Sequence, residues 1–308
     1  MSESINKIVS NISKHFIGKE EVVKHMLIAL LAGGHILIED VPGVGKTTLA
    51  KALADSVECE FGRIQLTPDT LPSDITGASI YNSKTMEFDI VKGPIHNRIV
   101  LADEINRTSP RTQAALLEAM EEKQVTIDKE TFKLPDPFMV IATQNPAEQI
   151  GTYPLPEAEL DRFMMKVSIG YPDKDMQIQL AKSFLNGELK SPITPVVTSD
   201  EIIALKSQVA DVIMNDEIIA YALEIVDKTR GLEELEYGLS PRAGLDLLMA
   251  SKACAFIEGR DFVIPEDVIS MAKVALPHRL VLTSKSRIDG ETGIKVITRV
   301  IEKVKRPR

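Results

Sequence analysis

Tryptophan is absent from this 308-residue chain, aromatic residues make up only 5% of it, and it has just two cysteines. The aromatic shortage removes most of the platforms on which a single-stranded nucleic-acid binder stacks bases. Cys59 and Cys254 are far apart and lack metal-ligand spacing. That excludes a disulfide framework and a cysteine zinc site, and the pair reads as reduced core thiols of a cytoplasmic protein. The five histidines, His15, His25, His35, His96 and His278, do not cluster at ligand spacing either. The longest apolar run, Met26 to Ile38, is broken by Gly33, Gly34 and His35. A membrane span needs about 20 apolar residues, so none is expected. The first residues carry no apolar segment behind a basic start, so no signal peptide is expected. Positive charge is also short: 36 Lys and Arg against 45 Asp and Glu leave a net −9. This disfavours nucleic acid as a partner, and the basic tail Lys303, Lys305, Arg306, Arg308 reads as a solvated end.

What is present is an ordinary globular balance, 44% hydrophobic and 26% charged, with length for two domains of about 150 residues each. Short apolar runs at His35–Glu39, Phe61–Leu66, Arg98–Ala102 and Phe138–Thr143, with a weaker one at Met164–Ile169, alternate with helical patterns at Lys46–Val57 and Thr112–Lys123. A further helical pattern, Glu20–Leu31, precedes them. Strands alternating with helices predict a parallel α/β sheet sandwiched by helices. Ser79–Pro94 and Gln124–Leu134 interrupt this rhythm as short strands and a hairpin. The proline-bearing stretch Ser191–Thr198 marks a boundary, with residues 1–190 forming the first domain and 195–308 a small all-helical one. Two of its helices announce themselves: Thr198 with Glu201 forms a capping-box pattern, and Ser240-Pro241 an N-cap with proline at the first helical position.

The chemistry begins at Asp40-Val-Pro-Gly-Val-Gly-Lys-Thr47, between a strand and a helix. A phosphate loop reads G-x-x-x-x-G-K-[ST], and here Asp40 stands where the first glycine is expected. Gly43 and Gly45 let backbone amides turn inward around phosphate, and the following helix adds its positive end. Lys46 is placed to reach the β- and γ-phosphates and Thr47 to ligate Mg²⁺. Val44 and Thr48 complete the stretch that would contact the nucleotide. The strand Ile99–Ala102 ends in Asp103 and Glu104. Asp103 fits the Mg²⁺ shell, and Glu104 a group that polarises the attacking water. Asn145, closing the next apolar strand, suits orientation of that water, although Asn-Pro also starts turns. Arg162 either pairs with Glu159 on its own short helix or enters a neighbouring subunit's site. Arg242 opens a helix, where a cation is unfavourable unless a phosphate compensates it.

Taken together these strings resemble the AAA+ ATPases and, within them, the MoxR family of the helix-2-insert group. The likeness rests on Phe16–Glu20, Glu39–Thr47, Leu101–Arg107, Gln113–Glu122, Ala142–Pro146, Leu155–Phe163 and Leu239–Ala243. Asp40 resembles the variant loop of that family. The resemblance implies that Ile17 and Gly18 lie near adenine, and that Lys46, Thr47, Asp103 and Glu104 form the Walker motifs. It implies that Asn145 is sensor 1, Arg162 an arginine finger and Arg242 sensor 2 on a lid that contacts the γ-phosphate. Arg107 or Arg111 is a further candidate for an adjoining subunit. Residues 79–94 become the helix-2 insert and 124–134 the pre-sensor-1 hairpin. The implied activity is Mg²⁺-dependent ATP hydrolysis in a homo-oligomeric, hexameric ring. The ring would remodel or mature a protein complex, with metalloenzymes and proteins carrying von Willebrand factor A domains as the kinds of client. A nucleic-acid motor and a scaffold with little turnover are the competing readings. Charge argues against the first and Glu104 against the second.

Overall fold

The computed structural model describes residues 3–16, 18–146, 151–187 and 192–307. Two helices lead, α1 (Glu3–His15) and α2 (Glu20–Ala32). Helix α1 buries Ile5, Ile8, Val9 and Ile12, the stripe of an amphipathic helix. Helix α2 buries Val22, Val23 and every residue from Met26 to Leu31, as a helix covered on most sides does. The chain then alternates through β1 (Ile36–Glu39), α3 (Lys46–Ser56), β2 (Phe61–Gln65), α4 (Pro72–Thr76), β3 (Gly77–Asn82), β4 (Glu87–Lys92), β5 (Ile99–Asp103) and α5 (Pro110–Glu122). There follow β6 (Gln124–Ile127), β7 (Glu130–Lys133), β8 (Met139–Gln144), α6 (Glu157–Leu160), β9 (Met165–Val167) and α7 (Lys174–Leu185).

The main sheet has the order β2-β5-β8-β1-β9, and every pairing in it is parallel. Strands β1, β5 and β8 are nearly continuous runs of buried aliphatic residues, as a sheet covered on both faces requires. Successive residues face opposite layers. Ile36, Ile38, Ile99 and Leu101 join the core with α1, α2 and α3, whereas Leu37, Val100 and Val140 join a second cluster under α5. Because the strands are parallel, Glu39, Asp103 and Gln144 gather at one edge of the sheet. His35 and Met164, one residue before β1 and β9, mark the other.

Both interruptions of the alternation are antiparallel hairpins, β3–β4 and β6–β7. The first is wider than its sequence pattern, starting at Gly77, where φ is 104°. A Cβ there would lie 2.3 Å from the Val91 carbonyl oxygen, so only glycine closes the base of the hairpin.

The rest of the chain comprises α8 (Ser199–Asp211), α9 (Asp216–Asp227), β10 (Leu235–Tyr237), α10 (Pro241–Ile257), α11 (Pro265–Ala275), β11 (Val281–Leu282), α12 (Ser284–Ile288) and α13 (Gly293–Lys303). Strands β10 and β11 add a small ribbon to the helices. The capping box at Thr198 and the Ser240 N-cap both form. Helix α10 packs along α2 and α11, and one hydrophobic cluster runs unbroken from α1 through α3 and α10 to α13. Among the described residues no helix is long and apolar enough to cross a membrane.

Candidate nucleotide-binding site

The turn between β1 and α3 is a cradle built from backbone. Gly43 and Gly45 have φ values of 83° and 93°, the left-handed region that glycine enters without steric cost. A Cβ on Gly45 would stand 2.8 Å from the Phe16 ring. Gly45 is also the N-cap of α3. It has no side chain to satisfy the first amides of that helix, which leaves them directed at an incoming anion. The Lys46 ammonium folds back onto the Asp40 carbonyl oxygen.

Asp40 turns its carboxylate away from the cradle. Its Oδ2 accepts from the Ile169 amide at 2.6 Å, the Gly170 amide at 2.7 Å and the Ser168 hydroxyl at 3.0 Å. Its Oδ1 accepts from the Val41 amide at 3.1 Å. Burial raises the carboxyl's pKa, but the amides and the hydroxyl outweigh it and hold the group below its ordinary value. Asp40 thus ties the start of the phosphate loop to the strand end after β9, which explains an acid where a phosphate-binding loop offers no use for one.

Strand β5 delivers Asp103 and Glu104 beside this loop. The Thr143 hydroxyl, at the end of neighbouring β8, donates to Asp103 Oδ1 at 2.6 Å and accepts from the Glu104 amide at 2.9 Å. Arg63 on β2 donates to Asp103 Oδ2 at 2.8 Å. Gln65 and Arg107 donate to Glu104 Oε2 at 2.9 and 3.0 Å. Glu104 has φ 60° and ψ 51°, a conformation that strains a residue with a Cβ by about 1–3 kcal/mol. The Thr143 hydrogen bond holds it there. Arg63, Gln65 and Thr143 escape sequence reasoning. Thr143 alone left a signal, as a polar residue ending an otherwise apolar strand.

Two cavities share the loop as a wall. The larger, about 720 Å³, is mostly apolar, with Phe16, Ile169, Met176 and Ile193 facing Gly43 to Gly45 and Thr48. The smaller, about 370 Å³, is polar and is lined by Gly43, Gly45, Lys46, Thr47, Thr48, Asp103, Glu104 and Asn145. An apolar chamber for a base beside a polar one for phosphates suits a nucleoside triphosphate. Val44 lines the apolar chamber, and Gly18, with φ 81°, approaches Met176 in its wall. Ile17 lies outside the described residues. Among the described residues no trio of His, Cys, Asp or Glu could hold a metal unaided. Mg²⁺ is bound by few carboxylates together with substrate phosphates, and the Thr47 and Asp103 oxygens fit that role.

The two remaining arginines are elsewhere. Arg162 comes just before β9 and Arg242 sits in the first turn of α10. Their guanidinium groups grip the two oxygens of one carboxylate, Glu121 in the last turn of α5, at 3.2 and 3.1 Å. The adjacent Met120 carbonyl meets His35 Nε2 at 3.2 Å, and His35 precedes β1. The pair therefore lies at the edge of the sheet opposite the phosphate loop, about 15 Å away across β1. The γ-phosphate contact that the resemblance implies for Arg242 is not made toward the phosphate loop of its own chain, since Arg242 here meets Glu121. Helix α10 packs on α2 and presents its N-terminus to the amino ends of the strands. Arg162 makes its ion pair with Glu121, and Glu159 lies close enough to feel its charge. Arg107, a candidate for an adjoining subunit, is engaged by Glu104 of its own chain, while Arg111 is exposed on α5.

Comparison with known proteins gives the family. Residues 35–165 match the model of the "ATPase family associated with various cellular activities (AAA)", and residues 227–300 match an AAA lid domain. The uncharacterized protein YeaC of Bacillus subtilis is 47% identical over 303 residues, 98% of this chain and 95% of that one. Chaperone MoxR1 of Mycobacterium tuberculosis is 38% identical, covering 99% of this chain and 83% of its own. A crystal structure described as a putative ATPase from Cytophaga hutchinsonii superposes with a TM-score of 0.93 at 38% identity, covering 99% of this chain and 95% of that one.

Proposed function

Because the chain belongs to the MoxR family of AAA ATPases, we propose that it hydrolyses ATP at a site completed between neighbouring copies of itself. The observation that carries this is the separation of the charges: the phosphate loop and acids occupy one edge of the sheet, and both arginines the opposite edge. A head-to-tail contact would bring one copy's arginine edge to the next copy's phosphate loop. Such heterologous contacts close into rings when the rotation allows, and the family likeness favours a hexamer.

In this reading Lys46 and the α3 amides hold the phosphate oxygens. Glu104 accepts the proton of the water that attacks the γ-phosphorus, and Asn145 orients that water. The γ-phosphate bond to ADP breaks, and ADP leaves with inorganic phosphate. Arg162 and Arg242 of a neighbouring copy neutralise charge on the transferring group. Thr47 and Asp103 would hold Mg²⁺ together with the phosphates, and the ion would supply positive charge there. An arginine supplied in trans contributes about 10³–10⁵ in rate, or about 4–7 kcal/mol, more than any single hydrogen bond at the site. The work done is remodelling or maturation of a protein complex in the cytoplasm, a partner with a von Willebrand factor A domain being one kind of client. The β3–β4 hairpin supports the client role, as it exposes Ile80, Tyr81, Met86 and Phe88.

Mixing two inactive variants tests the shared site. Lys46→Ala spoils only its own phosphate loop, and Arg162→Ala only the next copy's site. Each alone is expected to be inactive, and an equal mixture to regain activity at about a quarter of its interfaces. A mixture that co-assembles yet stays inactive contradicts the proposal.

A further inference from the structure

We infer that Glu121 is a positioning residue that gathers Arg162 and Arg242 into one two-guanidinium clamp for the neighbouring copy's phosphates. This rests on the trans reading above.

The two arginines come from parts of the chain 80 positions apart, one ahead of β9 and one on α10. Two guanidinium groups brought close together repel each other, and arginine stays charged at every accessible pH. A carboxylate between them removes that penalty. Glu121 does so with one oxygen for each partner: Oε2 faces Arg162 Nη1 at 3.2 Å and Oε1 faces Arg242 Nη1 at 3.1 Å. Each arginine keeps further N–H donors for an incoming phosphate, since a guanidinium carries five.

Glu121 can set this geometry because its own position is fixed. The Val140 amide donates to His35 Nδ1 at 3.0 Å. The imidazole proton therefore sits on Nε2 and is given to the Met120 carbonyl, next to Glu121. Burial depresses the pKa of His35 to about 4, so this link persists at neutral pH. The last turn of α5 is thus fastened to the sheet, and its carboxylate is a fixed point for two arginines whose segments also meet where the Ser240 hydroxyl donates to Asp161 at 2.9 Å. Nothing in sequence spacing signals this role, because Glu121 lies beside Glu118 and Glu122 on an exposed helix face.

Glu121→Gln tests the inference. The side chain is 43% exposed, so the variant is expected to fold with an unchanged thermal midpoint. Its kcat per subunit, measured at a concentration where wild type is fully assembled, is expected to fall about tenfold through misplaced transition-state contacts. KM for ATP, set by the intact phosphate loop, is expected to stay the same. In an Arg242→Ala background the same change should cost much less than tenfold, because residues acting as a unit are non-additive. An unchanged or raised kcat overturns the inference, as does the full tenfold loss in the double variant. The underlying reading is checked separately by Arg162→Ala and Arg242→Ala. If both retain wild-type rates, the trans reading fails and the clamp falls with it. If they lose activity while Glu121→Gln does not, only the clamp is refuted.

Discussion

At the carboxyl ends of β1, β5 and β8 the chain gathers Lys46, Asp103, Glu104 and Asn145 around an open polar cavity. At the amino ends of β1 and β9 it gathers Arg162 and Arg242 on a single glutamate. In the proposed reading the first edge binds and attacks a phosphate, and among the described residues that line its cavity Lys46 is the one cation. The second has two cations held by one glutamate and, among the described residues, no phosphate loop. Each edge holds what the other is missing, and five strands of rigid sheet keep them apart. A lid swinging over its own active site cannot reconcile them without unpacking α10 from α2, where the hydrophobic core is continuous. The economical solution is a second copy.

The largest effect should come from breaking the arginine edge. Arg162→Ala is expected to lower ATPase activity by about 10³–10⁵ while leaving nucleotide affinity of the isolated chain unchanged, as titration with a fluorescent nucleotide would show. A loss of affinity would mean that Arg162 belongs to the phosphate-loop edge after all.

The next effect sharpens what holds the opposite edge together. Asp40→Ala removes a buried acceptor of four hydrogen bonds. It should destabilise the chain by about 2–4 kcal/mol, given 1.5–3 kcal/mol for one charged hydrogen bond and strong overlap among them. The carboxyl's folded pKa lies below its unfolded value. Its contribution is therefore complete above about pH 4 and is lost as pH falls through the folded pKa. Denaturant titrations should show wild type and Asp40→Asn converging in acid. A gap that is constant across pH would show that the charge of Asp40 is not what ties the loop.

The smallest effect is a control remote from both edges. Arg306 pairs with Glu266 at 3.6 Å on an open surface. Arg306→Ala should change stability by less than about 1 kcal/mol and leave the ATPase untouched. A large change would give the basic tail a role in assembly.

Much of this was legible in the residues. The phosphate loop and the acid-tipped strand declare themselves because their chemistry is local, packed into eight and six consecutive positions. The caps at Thr198 and Ser240 are equally local. Helix α1 was also within reach, since Ile5, Ile8, Val9 and Ile12 have helical spacing, but it was overshadowed by the polar residues between them. Helix α7 was not, because among the described residues it buries none of its own side chains and so lacks an inward stripe. The purpose of Asp40 was hidden because its partners lie 128 to 130 positions away. Arg162 could have been assigned to the amino edge from the strand that follows it. Arg242 could not, because its place depends on how α10 packs against α2, and hydrophobic periodicity says which face is buried but not against what.

In the proposed reading one chain holds two incomplete halves of a site. The direct measurement is ATPase rate per subunit as a function of protein concentration, with Mg²⁺ and without nucleic acid, alongside sizing of the assembly. A steep rise that tracks the appearance of oligomers is expected, from a monomer that binds ATP but scarcely hydrolyses it. A flat, appreciable rate down to concentrations where only monomer is present would contradict it, because a single chain would then be building the whole site.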